Sequence, residues 1–146
     1  EKLAALKAKF EEENKELMER LKKVDNPGDA RAIQAEMREL ATLTAGKVLK
    51  VAEENPKDAT GLDAAAFIVR AAGGVGAGGD DVAKALGLVA EHHAADAKVK
   101  DLLIPAMRLG DSGEKLLKAV AEKNPDKEAK GTALFLRGYR LAQGVD

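Results

Sequence analysis

No cysteine occurs in this sequence, which excludes disulfides, thiolate metal sites and any thiol chemistry carried by the chain itself. Tryptophan is also absent and aromatics make up only 3% of residues, so a core has to be assembled from Leu, Ala, Val and a little Met. Neither sign of charge dominates. The 24 Lys and Arg are balanced by 25 Asp and Glu, for a formal net charge of -1, with the signs interspersed. A nucleic-acid binder needs a one-signed cluster to hold phosphates, so that partner class is set aside. No stretch reaches the roughly 20 apolar residues of a membrane span, and no signal-peptide pattern opens the chain at Glu1. Val and Ile never alternate over a strand-length window, which takes the expected sheet content to near zero.

What is present is a helical alphabet, in which Ala, Leu, Lys and Glu dominate. At 146 residues the chain can bury a real core without staples. The expected class is all-α, with about six to seven helices in two parts: a charged amphipathic N-terminal helix over 1–25, and a domain of helical hairpins over 26–146.

In the first part Leu3, Phe10, Leu17 and Val24 recur every seven residues and form a narrow apolar seam. Glu16 with Arg20 and Glu19 with Lys23 stand in the favourable four-residue order, worth ~0.3 kcal/mol each. The seam can lie on the rest of the chain or on a second copy, which makes it a candidate homodimer contact. Glu13 and Asn14 at its midpoint weaken a pure coiled coil and favour packing within the chain.

The second part contains a repeat. Val48–Val69 reads VLKVAEENPKDATGLDAAAFIV, and its pattern returns as LKAVAEKNPDKEAKGTALFL over Leu117–Leu136. In both copies a helical run ends at Asn-Pro, at Asn55-Pro56 and Asn124-Pro125, and a second apolar run follows with one Phe, Phe67 or Phe135. Because proline disfavours helical geometry in the residue before it, helices should end at each Asn. Asp58 and Asp126 are then placed to cap the next helix. The remaining boundaries read as helices from about Ala30 to Glu54, Ala59 to Ala72, Val82 to Ala95 and Ala97 to Leu109, the last kinked or split by Pro105. A turn over Gly110–Gly113, with Asp111 or Ser112 as cap, opens helices over Glu114–Lys123 and Lys127–Gln143. Units counted from Gly46, Asp81 and Gly113 start 35 and 32 residues apart, close to the tetratricopeptide period of 34. The expected architecture is therefore a tetratricopeptide-like array of hairpins, with an irregular helical bundle as the alternative.

Candidate chemistry is sparse. Gly74–Gly79, GVGAGG, matches the dinucleotide fingerprint in letters, but that motif acts between a buried strand and a helix N-terminus inside a βαβ unit. These glycines follow an Ala-rich helix, and a plain inter-helix loop is the better reading. His92 and His93, the only two histidines, point about 100° apart on a helix and cannot both ligate one metal. Ser112, the only serine, sits in a glycine turn where capping explains it. No catalytic residue, cofactor site or metal site is assigned. Arg70, Arg137, Tyr139 and Arg140, on the second helices of the hairpins, are the candidate interaction residues. The arginines can form a carboxylate-recognising patch or, more simply, salt bridges between neighbouring helices.

Three runs carry a family resemblance: VAEENPKDATGLDAAAFIV over Val51–Val69, ALGLVAEHHAADAKVKDLL over Ala85–Leu103, and Gly113–Gln143 with its second Asn-Pro hairpin. Their order resembles the helical region that precedes the redoxin domain in a family of bacterial thioredoxin-fold proteins. The resemblance covers roughly residues 45 to 143. It implies a non-catalytic accessory domain that sits beside a thiol-disulfide oxidoreductase module, positions it, binds its client or mediates dimerisation. The expected partner is thus a protein, or the redoxin domain of the same polypeptide. Exported members of such a family point to the cell envelope. This sequence departs from the family pattern in lacking cysteine and in reaching Asp146 before any thioredoxin fold, so no catalytic residue carries over.

Overall fold

The computed structural model describes residues 2–77 and 79–143. Among them the chain forms seven α-helices and no strand: α1 (Lys2–Lys22), α2 (Pro27–Glu54), α3 (Ala59–Ala71), α4 (Gly79–His92), α5 (Lys100–Met107), α6 (Gly110–Lys123) and α7 (Lys127–Ala142). Short 3-10 turns at Gly73–Val75 and Ala97–Val99 precede α4 and α5.

The local reasons are mostly capping chemistry. Asn26 accepts a hydrogen bond from the Asp29 N–H at 2.8 Å, and Pro27 occupies the first turn, where its missing N–H would have no partner anyway. Helix α2 therefore begins at Pro27 rather than near Ala30. It ends as expected, because Asn55 before Pro56 leaves helical geometry at φ -133° and ψ 53°. Asp58 then accepts from the Gly61 N–H at 3.1 Å, and Asp126 from the Glu128 N–H at 3.3 Å.

Two expectations fail. Neither Asp111 nor Ser112 caps α6; the helix starts earlier, at Gly110, with no side-chain cap. Gly110 turns the chain at φ +64°, and Gly113 lies against the backbone of α5, so the glycines belong to the helix rather than to a loop ahead of it. Pro105 also leaves α5 unbroken. It sits in the final turn, where its missing donor costs one hydrogen bond and nothing beyond needs to continue.

The helices pack in two layers. α2, α4 and α6 lie side by side in one, and α3, α5 and α7 in the other. α3 touches both α2 and α4, while α6 touches both α5 and α7. Between the layers Val48, Ile68, Leu86, Leu102, Leu103, Leu116 and Leu117 are fully buried. At about 25 cal/mol per Å² of apolar area, this burial is the main stabilising term. Alanine lets the layers approach: Ala64 and Ala65 of α3 are completely enclosed. Closest of all are two glycines. A Cβ on Gly61 would lie 1.8 Å from the Asn55 carbonyl oxygen, and one on Gly113 would lie 1.7 Å from that of Ala106.

Helix α1 packs along α2. Leu3 and Leu17 of the seam are buried within the chain, and Leu3 belongs to the same apolar cluster as the hairpins. Phe10 packs edge to face on Phe67 with ring centroids 5.4 Å apart, and Val24, two residues past the end of α1, is half-buried. The seam thus lies on the chain's own helices.

Candidate functional site

The two Asn-Pro turns are tied together by side-chain hydrogen bonds. The connection after α4 lies between them. His93, 5% exposed, has its Nε2 at 2.7 Å from the Pro56 carbonyl oxygen. A carbonyl only accepts, so Nε2 carries the proton and donates. From the other side Asn124, also buried, donates from Nδ2 to the carbonyls of Ala94 at 3.0 Å and Asp96 at 3.1 Å. Its Oδ1 accepts from the Asp126 N–H. Asn55 instead serves its own helix, donating to the Val51 carbonyl at 3.0 Å. Weighing the histidines only as metal ligands misses this. The signal was their adjacency: two rings about 100° apart on a helix rim put one inward when the other faces out.

The four candidate interaction residues separate. Glu114 on α6 accepts from Arg137 Nε at 2.6 Å and from Arg140 Nη1 at 3.1 Å, and Arg140 is buried. These two cations are occupied by an inter-helix bridge. Arg70, exposed at the end of α3, takes no part in it, so a patch of Arg70, Arg137 and Arg140 does not assemble. Arg70 instead shares a groove with Arg108 at the end of α5.

Tyr139 and Phe135 lie on the outer face of α7. Leu134, Phe135, Tyr139 and Leu141 are 52%, 69%, 47% and 73% exposed, and the two aromatic rings stack at 6.5 Å. Gly131 and Gly138 on the same face have open space above them. Phe67 and Phe135, which the sequence pattern pairs, have different surroundings. Phe67 is covered by Phe10 of α1, whereas the α7 face has no such cover among the described residues.

The rest of the surface offers little chemistry. The glycine segment lines a cavity of about 280 Å³ with Val82, Leu86, Leu109 and Ser112. Helix α3 leads into these glycines where the dinucleotide motif requires a strand, and Gly78 lies outside the described residues. No group of three metal-ligating side chains occurs among the described residues, and no described helix is long and apolar enough to cross a membrane. At the start of α5, Lys100 Nζ lies 3.0 Å from Asp126 and 2.9 Å from Glu128. The hydrogen bond to Glu128, then that to Asp126, raises the Lys100 ammonium above its ordinary value. The Lys100 hydrogen bond holds the Asp126 carboxyl below its own.

Comparison with protein-family models, with curated proteins and with solved structures returns no match.

Proposed function

We propose that this chain is a non-catalytic helical docking domain, an array of hairpins whose outer α7 face receives a protein partner. One observation carries the reading. Four large apolar side chains, Leu134, Phe135, Tyr139 and Leu141, stand exposed on one helix, whereas Met18, Leu43, Val75 and Ile104 are exposed singly on other elements. Contiguous exposed apolar surface with aromatic anchors marks protein contact sites, and Gly131 and Gly138 leave room for a close-packed helix. The resemblance of the Asn-Pro hairpins to the region preceding bacterial redoxin domains supports a redoxin module as the partner, in the same polypeptide or beside it. This chain then acts as its scaffold.

The test is a titration of the isotopically labelled chain with a separately expressed bacterial redoxin domain, followed by amide resonances. The expected result is a set of shifts centred on Leu134 to Leu141, lost in Phe135→Asp while the melting temperature stays within a few degrees. Shifts confined to α1, or none at all with the Phe135→Asp control behaving as wild type, would remove the α7 face from this role.

A further inference from the structure

We propose that the groove between α3 and α5 takes an acidic segment of a protein partner, one carboxylate side chain held between Arg70 and Arg108 and an apolar neighbour laid on Ile104 and Pro105. This rests on the reading of the chain as a docking domain and names the chemistry of a second contact, away from the α7 face.

The groove measures about 290 Å³ and is lined by Val69, Arg70, Ile104, Pro105, Arg108 and Leu109, with backbone from Gly73 and Gly74. That is the small end of the range for ligand pockets, suited to one or two side chains. Its lining includes two arginines and no carboxylate. Both arginines are exposed, and neither forms an ion pair among the described residues. Three other arginines have acids within the chain, whereas Arg31 and Arg38 are exposed with no ion pair among the described residues. Arg20 pairs with Glu36 at 3.0 Å, and Glu114 takes up Arg137 and Arg140. Between α3 and α5 two arginines face one groove and no carboxylate of the chain lines it, so an acid from a partner meets no competitor there.

A guanidinium presents a planar fork of donors that matches a carboxylate in bidentate fashion, and two such forks facing one groove select an anion. Ile104, 58% exposed, adds a second requirement. A bare anion leaves that side chain in water, whereas an apolar residue next to the carboxylate covers it. Covering it also lowers the dielectric around the ion pair, which strengthens it. Together the two requirements describe a peptide with acidic and apolar residues in succession.

The proposal is tested by fluorescence polarisation of the full chain with a blocked peptide of alternating Leu and Glu. Controls are the same peptide with Gln for Glu, one with Ser for Leu, and inorganic phosphate as competitor. The expected result is binding that weakens at least tenfold with Gln, with Ser, and in the Arg70→Ala/Arg108→Ala double variant. Arg70→Gln/Arg108→Gln serves as a second variant, and circular dichroism establishes that both fold. Three outcomes overturn the proposal: no binding at millimolar peptide, equal binding by the Gln peptide or the double variants, or a phosphate site indifferent to the Ser change. Phe135→Asp is expected to bind the peptide as wild type does. A failure of the α7 reading therefore shows with the redoxin domain and leaves this result untouched.

Discussion

Adding one methyl group at Gly61 or Gly113 brings carbon to within 2 Å of a backbone carbonyl oxygen, and neither oxygen sits on a flexible end that can swing away. Gly61→Ala and Gly113→Ala should each lower stability by roughly 3 kcal/mol or more in urea melts. Gly131→Ala and Gly138→Ala meet open space and should stabilise by about 0.5–1 kcal/mol each through helix propensity. The Glu114 bridge yields a second asymmetric pair. Glu114→Gln removes the counter-charge of the buried Arg140 and should cost roughly 2 kcal/mol, below the usual loss for a buried pair because Glu114 itself is partly in water. Arg140→Met should be close to neutral. It removes a buried charge whose Nε has no hydrogen-bond partner among the described residues, and Glu114 keeps Arg137. Chemical denaturation of the two variants side by side distinguishes them.

At the scale of elements, the ionic cluster joining α5 to α7 fixes a dependence on pH. Asp126 titrates below its ordinary value in the folded chain. Its contribution is therefore present above the unfolded value and lost as pH falls through the folded one. Lys100 titrates above its ordinary value, so its contribution is full below the unfolded value and fades only at strongly alkaline pH. Lys100→Met should accordingly melt below wild type near neutrality and converge on it as pH falls through the folded Asp126 value, which thermal scans across pH would check. Which elements form was largely legible in the sequence. The Asn-Pro stops, the Asp58 and Asp126 caps and the all-helical class depend on neighbours within a few residues, where capping rules apply. What was not legible depends on distance. Nothing near His93 announces the Pro56 carbonyl 37 residues away, and although inter-helix salt bridges are expected of Arg137 and Arg140, nothing near Glu114 announces it as their shared acceptor. The start of α6 was misplaced for the same reason, since a glycine needed for close approach looks locally like a glycine needed for a turn.

For the whole molecule, α1 and α7 are opposites. α1 spends its apolar seam on its own chain, so removing residues 1–24 should lower the melting temperature by exposing α2 and Phe67. Analytical sedimentation should show the intact and shortened chains in the same oligomeric state. The α7 face is left for something else, and the Arg70 and Arg108 groove opens on the same layer of helices. How much of the candidate surface was readable follows from this layout. Phe135 and Tyr139 were visible as residues, but their exposure follows from the absence of a covering helix among the described residues, which composition and periodicity do not report.

Arrays of helical hairpins touch mainly their sequence neighbours, so their parts can melt one at a time. The contact of His93 with the first Asn-Pro turn and of Asn124 with the segment just beyond His93 bridges that gap in cooperativity. An opening of either hairpin also exposes buried donors and carbonyls belonging to the other. The intact chain should unfold in a single calorimetric transition whose van't Hoff and calorimetric enthalpies agree. In His93→Ala/Asn124→Ala that agreement should be lost, with the amides of α2 and α3 exchanging with solvent at a different rate from those of α6 and α7.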